Sequence, residues 1–131
     1  MIKSCPLIPI QKALYEKLRE SVGVDVYDIA PDSAAYPYIT IGDDSASDAG
    51  SKLDHGDDIS STIHVWSRSF GLMEAKQLMA DIVEALTNSS LIVPGFQVGF
   101  KTISYRHVFN DPDGVTRHGV LRVEHTLYQM D

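Results

Sequence analysis

An α+β fold is predicted: a mainly antiparallel sheet with two helices packed on one face. Three observations predict it. Two segments carry apolar residues at helical spacing, the remaining segments alternate like strands, and their order reads α-β-β-β-α-β-β. The 131 residues are 44% hydrophobic, enough for one domain spanning 1–131 with its own core.

Pro6 and Pro9 suit a first helical turn, where a missing N–H costs nothing. Ile10, Leu14 and Leu18 then recur every four residues, predicting a helix over 7–21 that Gly23 ends. Residues 24–29 alternate like a strand, and Pro31, Asp32 and Ser33 signal a turn. Residues 36–42 form a β-branched and aromatic run that predicts the second strand. In the third strand, residues 59–67, Ile59, Ile63 and Val65 share one face and Thr62, His64 and Trp66 the other. Ser69 is the expected N-cap of the second helix. That helix carries the continuous stripe Leu72, Ala75, Leu78, Met79, Ile82, Val83, Leu86, which reads as core packing, and 87–90 end it.

The last third reads as a hairpin. Phe96, Val98 and Phe100 point one way, and a bulge near Lys101 and Thr102 is expected to let Ile103, Tyr105 and Phe109 continue that apolar face. Residues 110–114 are a turn. The return strand sets Val115, Leu121, Val123 and Leu127 against Thr116, His118, Arg122, Glu124 and Thr126.

Between the second and third strands lies a long acidic stretch, 43–58, with six aspartates against one lysine, a net charge of −5 in a chain of −7. Such a segment buries too little apolar surface to offset its own ordering, so a flexible loop over 43–58 is expected. Its Asp43, Asp44, Asp48, Lys52, Asp54, His55, Asp57 and Asp58 are the candidate partner-contacting residues.

The acidic balance argues against a surface that grips nucleic acid, which needs clustered Lys and Arg. The single cysteine, Cys5, excludes an internal disulfide. No signal peptide or membrane span is read, so a protein made in the cytoplasm with no membrane partner is expected. Five histidines raise the question of a metal, but none has zinc-protease spacing, and the acidic stretch lacks the calcium-loop offsets. His55 beside Asp54 and Asp57 has nothing to fix a catalytic geometry. No phosphate-cradling loop or nucleophile elbow is present, so no catalytic residue, cofactor or metal is assigned. Trp66 reads either as second-layer core under the first helix or as an anchor in a subunit contact, where Trp and Arg dominate. Apolar and aromatic groups on both sheet faces suggest a protein completed by neighbours, with Trp66, Arg68, Arg117 and His118 as interface candidates.

The run Ile63-His64-Val65-Trp66-Ser67-Arg68-Ser69-Phe70-Gly71-Leu72-Met73-Glu74-Ala75 resembles the tail-completion proteins of long-tailed bacteriophages, also called head-to-tail joining or tail-terminator proteins. Tyr36-Pro37-Tyr38-Ile39-Thr40-Ile41-Gly42 is similar to that family's Pro-Tyr-Val-x-Ile-Gly strand. The polar stretch with Lys52, and the turn 111–119 into the last strand, match in the same order. The resemblance implies a structural virion protein at the head-proximal end of the tail, without catalysis. It implies a homohexameric ring that caps the tail tube protein and docks on the head connector, with DNA passing through unbound. An acidic stretch at the hole would repel phosphate and let DNA slide. Two other classes are weighed: a small metal-binding or hydrolytic enzyme using the Asp/His cluster, and a non-viral protein-binding adaptor.

Overall fold

A computed structural model describes residues 3–50 and 55–130. Helix α1 spans Leu7–Val22 and α2 Met73–Asn88. The strands are β1 Asp25–Tyr27, β2 Tyr38–Asp48, β3 Gly56–Ser67, β4 Phe96–Asn110 and β5 Arg117–Gln129, in the expected α-β-β-β-α-β-β order. They form one five-stranded sheet, ordered β1-β2-β3-β5-β4. Among the described strands only the β1–β2 pair is parallel; the rest are antiparallel.

Alternation in β3 and β5 places the core. Ile59, Ile63 and Val65 of β3 and Leu121, Val123 and Leu127 of β5 are buried on one side. Ile10, Leu14 and Leu18 of α1, with Ala75, Met79, Ile82 and Leu86 of α2, close over them. Each such aliphatic side chain contributes about 1.5–3 kcal/mol on burial. α1 ends at Gly23, whose φ of 78° is the left-handed cap that other residues adopt only under strain. Gly119 serves a different need, because a Cβ there would lie 3.1 Å from Met79 Cε and 3.3 Å from Val65 Cβ. Its bare backbone lets α2 settle on the sheet.

The acidic segment departs from the expected loop. β2 runs on through Asp48 and β3 begins at Gly56, so Asp43, Asp44, Asp48, Asp57 and Asp58 all lie in a paired ladder from Asp43↔Thr62 to Asp48↔Asp57. Side-chain composition argued for disorder; backbone pairing between the two arms, which composition does not register, orders them. Lys52 and Asp54 lie outside the described residues.

Smaller corrections follow local chemistry. β1 is three residues, shorter than 24–29. Leu72, and not Ser69, occupies the N-cap of α2 and makes no side-chain cap bond. The Ser69 amide instead donates to Ser67 Oγ at 3.2 Å, while that hydroxyl donates to Glu74 at 2.7 Å. The bulge expected near Lys101 falls between Phe100 and Thr102. A second register shift between Ile103 and Tyr105 turns Tyr105 and Phe109 to the face opposite Ile103. Val115 is exposed and Thr116 buried, because Asp113 gathers the Val115 and Thr116 amides at 2.9 and 2.8 Å before β5 begins. Those bonds and the Thr116 hydroxyl hold the Asp113 carboxyl at about 2.

Candidate functional site

Both helices cover one face of the sheet, and the even-numbered residues of β3 and β5 lie on the other. Register then builds a transverse row. Tyr38 pairs with Trp66, Trp66 with His118, and His118 with Phe109, so β2, β3, β5 and β4 each supply one ring at the same level. The Trp66 and His118 rings stack at 3.9 Å between centroids, Tyr38 lies 6.4 Å from Trp66, and Phe109 lies 4.9 Å from His118. Tyr36 at 5.0 Å from Tyr38 and His107 at 4.9 Å from Phe109 extend the band at either end. Trp66 is therefore not packed under α1; it belongs to the helix-free face.

Polar atoms within the band are matched to one another. Trp66 Nε1 donates to Thr40 Oγ1 at 2.9 Å, and His64 Nδ1 and His118 Nε2 share a hydrogen bond of 2.8 Å. Burial pushes the pKa of both histidines down; the charge of His64 lowers His118 further, while Asp43 opposes the shift at His64 and Asp111 that at His118. Burial, helped by Tyr36, raises Tyr38 to about 12. At neutral pH the centre of the band, Tyr38, Trp66, His64 and His118, is thus an uncharged aromatic and imidazole surface, suited to packing against another protein.

Among the sequence-chosen interface residues, Trp66 and His118 sit at the centre of this row. The Arg68 guanidinium lies 4.4 Å from the Tyr36 ring, and its Nε donates to Thr116 Oγ1 at 3.2 Å. Arg117 is turned inward to the loops, donating to the Ser69 carbonyl at 3.2 Å and to Asn110 Oδ1 at 2.9 Å. Tyr36, Tyr38, His107 and Phe109 were not singled out from sequence. Their shared signal is aromatic residues in, or just before, the edge and near-edge strands.

The acidic hairpin carries its own counter-charges. Lys3 Nζ bridges Asp48 at 2.8 Å and Asp57 at 3.3 Å, and Lys101 reaches Asp58 at 3.4 Å. The bond from Lys3 is the main reason the Asp48 pKa falls. Asp43, Ser45, Ser60, Thr62 and Arg122 line a shallow polar depression of about 320 Å³ on the helix-free side. Asp44 points the other way. Burial raises its pKa, more than the Ser61 hydroxyl lowers it, and its Oδ1 has no hydrogen-bond partner. The His55 carbonyl accepts the Gln129 amide at 2.7 Å, tying the hairpin to the end of β5. Among the described residues no three His, Cys, Asp or Glu side chains converge as metal ligands.

Residues 10–128 match the family described as tail completion protein gp17. A relative of that name from Bacillus phage SPP1 is 36% identical over 92 residues, which are 70% of this chain and 68% of the relative. The solved structure of bacteriophage SPP1 gp17 superposes with a TM-score of 0.60 at 31% identity, covering 95% of this chain and 90% of that one. A chain in the virion of a native gene transfer agent particle shares the fold, with a TM-score of 0.79 at 22% identity, over 97% of this chain and 100% of that one.

Proposed function

This chain belongs to the gp17 family of tail completion proteins, and from that premise we propose that it completes the phage tail tube and joins the tail to the head connector as a homohexameric ring through which DNA passes. Its role is structural and its place is the head-proximal end of the virion tail. The observation that carries the reading is the helix-free sheet face, where the Tyr38-Trp66-His118-Phe109 row offers an uncharged aromatic surface that a lone protomer leaves half-exposed. Trp66, His118 and Arg68 are its subunit-contact residues, with Arg117 holding the adjoining loops in place.

The hairpin supplies the channel side of the proposal. Asp43 carries no ion pair among the described residues, Asp48 and Asp57 share Lys3, and Asp58 meets Lys101, so the hairpin stays net acidic. Repeated around a hole, that charge repels a phosphate backbone and lets DNA slide. His55, next to the first residue of β3, is assigned to the same rim; Lys52 and Asp54 lie outside the described residues.

Electron microscopy of tails made with and without this protein tests the reading. Ring density at one tube end, present only with the protein and required for attachment to heads, supports it. Normal virions assembled in its absence overturn it.

A further inference from the structure

The two edges of the sheet are long, unlike and complementary. β4 forms one edge, pairing only with β5 along its 15 residues, and it carries Arg106 and also Lys101, whose ammonium lies 3.4 Å from Asp58 of its own chain. At the other edge β1 covers only Tyr38–Thr40, leaving Asp43–Asp48 of β2 without an outer neighbour among the described strands. All six of these residues are exposed except the half-buried Asp44, and three are aspartates. The geometry points to head-to-tail strand pairing between copies of this chain, in which β4 of one copy adds to the Asp43–Asp48 edge of the next.

Strand polarity permits it directly. β2 and β5 run one way and β3 and β4 the other, so a laterally repeated copy brings β4 against β2 antiparallel, with the helix-free faces still on one side. Following the register at constant height, Ser45 is level with Ser60, Glu124 and then Thr102. Asp44 is likewise level with Ser61, Val123 and Ile103. Arg106, which pairs with Leu121, lies on the same helix-side face as Ile103, one position along.

That placement gives two unsatisfied groups a partner. Arg106 is exposed and makes no ion pair among the described residues. Asp44 Oδ1 is buried without a hydrogen bond. Beside it an open groove of about 530 Å³, lined by Ile8, Gln11, Lys12, Tyr15, Asp28 and Ile41, takes the arriving arginine stem along its apolar wall, with the Asp28 carboxylate offsetting the Lys12 ammonium at its rim. Like edges repel, basic against basic and acidic against acidic, so symmetric dimers are disfavoured. An unlike-edge contact is heterologous, so it repeats from copy to copy and makes a ring where its rotation closes. This rests on the ring reading and deepens it by adding a strand-edge joint to the face contact of Trp66, His118 and Arg68.

Cysteine trapping tests the joint. Within one chain β2 and β4 are separated by two strands, roughly 14 Å at the usual strand spacing, beyond disulfide reach. In a Cys5→Ser background, Ser45→Cys with Thr102→Cys should give, on mild oxidation of the purified full chain, a ladder of trimers and larger species. Each single-cysteine variant stops at dimers. Adding Arg106→Glu should reduce the ladder at least severalfold. A double variant that yields no more than the singles, also when Asp43→Cys or Ser47→Cys replaces Ser45→Cys to allow a slipped register, overturns the pairing. Rings on tails without the ladder would retain the ring and reject this joint. A ladder with no ring on tails would do the reverse.

Discussion

The indole of Trp66 lies flat on the imidazole of His118, centroids 3.9 Å apart and planes within 14° of parallel. The pair is held from both sides, by the Trp66 bond to Thr40 and by the His118 bond to His64. It is therefore preorganised before any neighbour arrives, which lowers the entropy cost of a contact built on it.

Trp66 separates fold from assembly. Trp66→Phe keeps a ring on His118 and loses the bond to Thr40, an expected cost of about 1 kcal/mol. Trp66→Ala also loses the ring pair, for about 2 kcal/mol in all. Urea unfolding measures both. Since the core lies on the other face, both variants should fold, and Trp66→Ala should fail to join tails to heads. Equal costs for the two substitutions would show that the stack adds nothing.

His125 predicts an acid limb in stability. It is buried with 1% exposure, its Nδ1 has no hydrogen-bond partner, and burial lowers its pKa to about 4. In the unfolded chain the ring binds a proton near pH 6.5, so the unfolded state gains protons first as pH falls. Stability is fully present above about pH 6.5 and declines toward pH 4, by on the order of 3 kcal/mol from this residue. His64 and His118 shift in the same direction and add to the decline. His125→Phe, beside the Phe100 ring 5.8 Å away, should leave a shallower limb. Urea midpoints from pH 7 to 4.5 check this, and an unaltered slope would refute the assignment.

Helical periodicity made α1 and α2 legible, because Ile10, Leu14 and Leu18 bury where their spacing puts them. The face shared by Ile63 and Val65 was equally plain from alternation. The strand state of Asp43–Asp48 was not. It depends on pairing with Thr62–Asp57, and on Lys3, 45 residues from Asp48, none of which a local window of Ser and Asp reveals. The site shows the same division. Trp66 and His118 stood out individually, but the row joining them to Tyr38 and Phe109 exists only once register is set. Phe109 joins it because of a second bulge that its neighbours do not announce.

Lys3 should act on the hairpin and little else. Its ammonium meets Asp48, Asp57 and the Gly56 carbonyl, yet the lysine side chain is part-exposed and Asp48 is 76% exposed, so salt screens the contact. Lys3→Ala is expected to leave the thermal midpoint almost unchanged while amide exchange accelerates at Ala49, whose N–H donates to the Gly56 carbonyl at 3.0 Å. High salt should reproduce that acceleration in the unaltered protein. Slow exchange in the variant would show that the β2–β3 ladder alone holds the hairpin.

Gly119 tests how closely α2 must approach the sheet. A side chain there points into the core against Met79, Val65 and Val108, with the first two nearer than ordinary contact. Met79 can swing its terminal methyl aside, but Val65 is fixed to β3 by its backbone and has no room to yield. Gly119→Ala should therefore cost less than Gly119→Val, whose branched carbons meet Val65 directly, and the latter should destabilise by about 1–3 kcal/mol. A second change, Met79→Ala, vacates space on the helix side only. It should recover part of the loss in Gly119→Ala and little of that in Gly119→Val, a double-mutant cycle in urea being the measurement. Equal recovery in both would place the clash on the helix and not on the strand.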